Sequence, residues 1–190
     1  MQTEVLFAGF GGQGIMTIGK MLAQAGLEAG LEVSWIPSYG PEMRGGTAYC
    51  LVVLSDKTIG SPVINTPSHL LVMNRPSLEK FAPRMKQGGV CVVNSSLIPI
   101  ESERRDIDQV RIPCNDLAIK LGNARMASII ALGAFCARSN IVDFEMVRAA
   151  VRYSFSEKPK LIDSNLNALE EGATLARSGG EPFSPAPAQA

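Results

Sequence analysis

The sequence predicts an α/β domain, an open three-layer sheet that is largely parallel and carries helices on both faces. Three observations lead there. Short runs rich in Val, Ile and Leu alternate with longer segments of helical apolar spacing; the first run ends in a glycine-rich loop that opens a helix; and no internal repeat interrupts the rhythm. At 190 residues one domain is expected. It covers residues 1–177, and the Pro- and Ala-rich residues 178–190 read as a disordered tail with little to bury.

The elements follow in order. Residues 4–10 are a compact apolar run, after which Ile15, Ile18, Leu22 and Ala25 fall at helical spacing. Gly30 ends that helix, and residues 32–36 alternate with β-favouring Val, Trp and Ile up to Pro37, where the second strand is expected to stop. Residues 38–46 hold too many Gly and Pro for a regular element, so they form a shaped loop, and residues 47–55 are strand-like again. Residues 70–74 and 90–94 read as buried strands separated by a short helix that begins at Pro76. A strand is expected at 110–114 and helices at 115–121 and 125–137, the second apolar on nearly every side and therefore buried. Phe144, Val147, Val151 and Phe155 mark one amphipathic helix, and Ile162, Leu166, Leu169 and Ala173 mark another.

Composition removes several function classes. The 18 basic side chains balance 18 acidic ones, so no global field draws in nucleic acid or an anionic membrane. No apolar run approaches the roughly 20 residues that span a bilayer, and no leader-like start is visible, so a cytoplasmic protein is expected. Cys50, Cys91, Cys114 and Cys136 are widely spaced and read as small buried hydrophobes rather than metal or iron–sulfur ligands. The chain has no G-x-S-x-G elbow, no H-E-x-x-H and no Walker loop. His69 reads as structural, and Lys120, Arg125 and Arg138 as solvated.

Two loops carry chemical information. Gly9-Phe10-Gly11-Gly12-Gln13-Gly14 fits G-x-G-x-x-G between a strand and a helix. Glycines allow a sharp turn and close approach, and the helix start offers unpaired N–H groups, so a diphosphate is the natural ligand. A tight turn without a ligand is the alternative. A nicotinamide dinucleotide also wants an acid at the end of the second strand, where Ile36-Pro37-Ser38 stands. Coenzyme A and flavin nucleotides remain. The second loop offers Tyr39 for stacking, Glu42 as an acceptor and Arg44 as a planar donor, framed by Gly40, Gly45 and Gly46. An internal Glu42–Arg44 pair is the alternative. In Rossmann- and flavodoxin-like sheets ligands bind beyond the carboxyl ends of the strands, so both loops are expected on one rim.

At these loops the sequence resembles the gamma subunits of 2-oxoacid:ferredoxin oxidoreductases. The likeness rests on Gly9 to Gly14, on Leu22-Ala23 and above all on Tyr39-Gly40-Pro41-Glu42-Met43-Arg44-Gly45-Gly46. It extends over residues 1–177, including the helix around Asn165 and Asn167. Trp35-Ile36-Pro37-Ser38-Tyr39 is most similar to the 2-oxoglutarate branch.

The resemblance implies a multi-subunit enzyme that converts a 2-oxoacid to an acyl-coenzyme A and passes electrons to ferredoxin. It implies that this chain binds coenzyme A and closes over the thiamine site, with no catalytic residue of its own. Thiamine diphosphate, magnesium and iron–sulfur clusters would belong to companion subunits. Gly11, Gly12, Gln13 and Gly14 would approach the coenzyme A diphosphate, Gln13 as a side-chain donor, and Arg44 would contact coenzyme A or a companion. The isolated chain is expected to be colourless and inactive, with homodimer formation left open.

Overall fold

The computed structural model describes residues 2–39 and 47–183. Six strands form one sheet: β1 (Gln2–Phe10), β2 (Glu32–Tyr39), β3 (Thr47–Ser55), β4 (His69–Val72), β5 (Val90–Asn94) and β6 (Asp108–Ile112). Their spatial order is β2-β3-β1-β4-β5-β6. β1, β4, β5 and β6 pair in parallel, while β3 lies antiparallel between β1 and β2, so β3 alone runs against the rest. The sheet is thus mixed but largely parallel, and β5 is buried along its whole length as a central parallel strand should be.

Six helices cover it: α1 (Ile15–Glu28), α2 (Arg75–Phe81), α3 (Cys114–Lys120), α4 (Ala127–Ser139), α5 (Phe144–Ser154) and α6 (Ile162–Arg177). One core joins α1, α3, α4, α5 and α6 to one sheet face, where Phe7 meets Phe135 edge-on at 4.9 Å between ring centroids. On the other face α2, the turn Ala82–Arg84 and residues around Ile98 and Ile107 cover Leu70, Val72, Cys91 and Val93. Arg104 ties that cover down, bonding Asp106 and donating to Pro83 O and Met85 O, each at 3.1 Å. Its bond to Asp106 raises the guanidinium pKa and lowers that of the carboxyl.

α4 is buried from Ala127 to Cys136, because it lies between the sheet and α6. Gly133 makes that packing possible: a Cβ there would run into Leu169 O, and one at Gly172 would run into Ile130 O. The two backbones touch without side chains between them.

Several boundaries move from their sequence-based positions. The second strand does not stop before Pro37 but continues to Tyr39. β2 is an edge strand, where the missing proline N–H can face away from the ladder. The last strand is 108–112 rather than 110–114, since Cys114 already begins α3. Residues 178–183 are also not free. Glu181 N–H donates to Arg111 O at 2.8 Å, Ser95 Oγ donates to the Glu181 carboxylate at 2.7 Å, and the Phe183 ring lies over the Arg111 guanidinium. The segment protects the β6 edge, and residues 184–190 lie outside the described ones.

Candidate functional site

The site forms where the parallel strands end. Gly9 is the last buried residue of β1, and a Cβ there would press on Gln13 Oε1 at 2.6 Å. The space it leaves lets Gln13 fold back: Oε1 accepts the Phe10 N–H at 2.6 Å and Nε2 donates to Met73 O at 3.2 Å. Gln13 thereby fastens the glycine loop to the end of β4. Gly14, at φ 79°, caps α1 without a side chain, so the first N–H groups of that helix stay open. A Cβ on Gly14 would collide with Ser128 Oγ, which brings the start of α4 against the start of α1.

A cavity of about 680 Å³ opens at this junction. The first turns of three helices border it: α1 through Gly14 and Thr17, α4 through Ala127 and Ser128, and α6 through Asn165. Only α1 begins open, at Gly14 with no side-chain cap; α4 and α6 continue from the short turns Ala124–Met126 and Pro159–Leu161, the first capped by Asn123. The start of α1 carries a partial positive charge of roughly half a unit, which favours negative charge at this end of the cavity. Arg125 and Lys158 add full positive charges, no carboxylate lines the wall, and neither cation forms a salt bridge among the described residues. Polar groups complete the wall. Asn115 is held by Asn94 Nδ2 at 2.8 Å, and Asn123 Oδ1 accepts the Arg125 N–H at 3.0 Å. Ser128, only 6% exposed, has no hydrogen-bond partner for its hydroxyl among the described residues.

Of the residues singled out by sequence, Gly12, Gln13 and Gly14 line this cavity. Gly9 lies beneath the loop and Gly11 is exposed above it, both away from the lining. Tyr39 ends β2, in line with Ala48 and Gly9 across the sheet, so its backbone stands on the same rim. Gly40, Glu42, Arg44, Gly45 and Gly46 lie outside the described residues.

Arg125 is exposed, as expected of a solvated residue, and it lines the cavity where the chain turns into α4. Sequence reading also passed over Asn115, Ser128 and Lys158. Their common signal was position, since each falls at or just before a helix start. Arg138, by contrast, pairs with Asp108 at 2.6 Å and is structural. His69 bonds Ser68 Oγ through Nδ1 at 3.0 Å, and burial lowers its pKa.

All four cysteines are buried apart from one another, and burial pushes the Cys50 and Cys91 thiols up to about 12. Such thiols are poor nucleophiles and ligands. No group of three or more His, Cys, Asp or Glu among the described residues is arranged to hold a metal ion, and an iron–sulfur cluster does not fit here. No described helix is long and apolar enough to cross a membrane.

The fold is thus an α/β sheet with a glycine loop and a cationic cavity at the rim where its parallel strands end. Residues 4–175 match the pyruvate ferredoxin/flavodoxin oxidoreductase family, to which the chain belongs. It is 40% identical over 181 residues to the ketoisovalerate oxidoreductase subunit VorA of Methanothermobacter marburgensis, covering 95% of this chain but only 38% of that relative. It is 32% identical to the 2-oxoglutarate synthase subunit KorC of the same organism, covering 94% of this chain and 99% of that one.

Among solved structures, the gamma subunit of the keto/oxoacid ferredoxin oxidoreductase from Geobacter sulfurreducens PCA matches with a TM-score of 0.84 and 27% identity, over 95% of this chain and 99% of that one. The 2-oxoglutarate:ferredoxin oxidoreductase from Magnetococcus marinus, solved with 2-oxoglutarate, coenzyme A and succinyl-CoA bound, matches with a TM-score of 0.85 and 25% identity. That match covers 99% of this chain and 33% of the other.

Proposed function

We propose that this chain is the gamma-type subunit of a cytoplasmic 2-oxoacid:ferredoxin oxidoreductase and binds coenzyme A in the rim cavity. The observation that carries the reading is the meeting of the open α1 start with Arg125 and Lys158 on a wall free of carboxylates. A diphosphate suits that wall, and a volume of about 680 Å³ falls in the usual range for small-molecule sites. The similar Magnetococcus protein is a coenzyme A complex. NAD fits less well, because the only acid on β2 is Glu32, at the far end from the rim.

In this reading the chain supplies no reacting group. Gly12 and Gly14 allow the backbone to approach the diphosphate, Arg125 and Ser128 hold it, and the anchored nucleotide delivers the thiol to the chemistry. Thiamine diphosphate with magnesium, held by a companion subunit, supplies the carbanion-stabilising centre, and companion iron–sulfur clusters carry electrons to ferredoxin. This chain closes over that centre, excluding water and fixing the thiol's approach. The 2-oxoglutarate synthase relative, matched along nearly its whole length, favours 2-oxoglutarate as the acid.

The test is the Arg125→Ala variant in enzyme reconstituted with companion subunits, assayed for coenzyme A-dependent 2-oxoglutarate oxidation. Loss of one charge-assisted contact should raise the KM for coenzyme A about tenfold with kcat nearly kept. An unchanged KM would remove this cavity from the coenzyme A site.

A further inference from the structure

A second cavity lies on the sheet face that α2 covers, away from α1, α4 and α6, and the coenzyme A reading makes no use of it. It is a groove of about 570 Å³, with α2 and the turn Ala82–Arg84 on one bank and residues 100–104 on the other. Leu78, Pro83 and Ile100 give it apolar surface. Irregular surface stretches such as 100–104 are mobile unless something fixes them, and here β6 does. Arg111, 7% exposed, donates to Ile98 O at 2.9 Å and to Ile100 O at 2.7 Å, and Gln109 Oε1 accepts the Ser102 N–H at 2.8 Å. Arg104 then crosses between the banks to Pro83 O and Met85 O. The groove is therefore preformed, and filling it costs little ordering.

Its charge is opposite to that of the rim cavity. Glu79 and Glu103 stand on facing banks, with Glu101 beside Ile100. Arg104, the cation of the lining, is already engaged by Asp106. Glu79 pairs with Arg75 one turn back at 2.8 Å, both half exposed, and Glu101 lies 3.8 Å from Arg105, whose side chain is 81% exposed. Glu103 forms no salt bridge among the described residues. Exposed pairs of this kind contribute at most about 1 kcal/mol, so a partner's cation can replace them. An apolar groove with a carboxylate border repels anions; its complement is a bulky apolar side chain flanked by Lys or Arg. The relatives VorA and KorC are themselves named as subunits. Resting on the subunit reading above, we propose that a companion subunit docks in this groove through such a segment. Docking on this face leaves the rim cavity open to its own ligand.

The test is analytical ultracentrifugation of enzyme reconstituted from the 190-residue chain and its companion subunits, which gives the dissociation constant of this chain at low and high salt. Glu79→Lys and Glu103→Lys, one on each bank, should each weaken assembly about tenfold, and added salt should weaken wild type more than either variant. Glu171→Lys makes the same change of charge at an exposed position of α6 and should assemble like wild type. Glu79 and Glu103 are exposed, so circular dichroism of the variants should match wild type. Normal assembly of both groove variants, or an equal loss in Glu171→Lys, overturns the docking site while the subunit reading stands. Failure of the wild-type chain to assemble with the companions overturns both.

Discussion

Gln13 and Gly14 are neighbours in the glycine loop with different tasks. The family resemblance implied Gln13 as a donor to a diphosphate, but its amide is engaged by the Phe10 N–H and by Met73 O, so its first role is to hold the loop's shape. That use was not legible, because Met73 reaches the loop only through the pairing of β4 with β1. Gly14 was legible as a turn residue. What the sequence did not reveal is that its missing side chain also admits Ser128 from α4. Gly14→Ala must hold a Cβ at φ 79° and push Ser128 aside. The left-handed conformation alone costs about 1–2 kcal/mol for a non-glycine residue. Chemical denaturation should show at least that loss, and calorimetry should show coenzyme A binding weakened about tenfold or more. A variant as stable as wild type with full affinity would refute the close approach of the two helix starts.

At the scale of elements, helices were the legible part, since their apolar stripes at Ile15 to Ala25 and Phe144 to Val151 repeat with the helical period. The reversed direction of β3 was hidden, because alternation looks the same in either direction. The overlooked signal was connection length. Seven residues, 40–46, separate β2 from β3, fewer than the dozen or so a parallel crossover requires. Glycines inside helices were likewise silent in sequence and decisive in packing. Gly133→Ala drives a methyl group into Leu169 O, where backbone cannot yield as a side chain can. We expect a loss of about 1–3 kcal/mol, as for other overpacked cores, seen as a fall in Tm of several degrees. An unchanged Tm would mean that α4 and α6 are not in backbone contact.

Across the whole molecule the cavity is an assembly of distant parts. Its walls come from residue 12 to residue 165, and only the stretch before Thr17 carried a recognisable pattern. The rest depends on a topology that carries the starts of α4 and α6 to the rim where β1 ends. The first-turn amides of α1 have no acceptor within their own helix, so they exchange hydrogen readily until a ligand covers them, and a ligand seated against the starts of α4 and α6 should slow opening of the turns that precede them. Hydrogen–deuterium exchange of the chain with and without saturating coenzyme A therefore tests the central claim most directly. The account predicts protection in peptides covering residues 12–17, 125–129 and 158–165, with little change elsewhere in the described chain. Protection confined to other surfaces, or none under conditions where calorimetry reports binding, would contradict it.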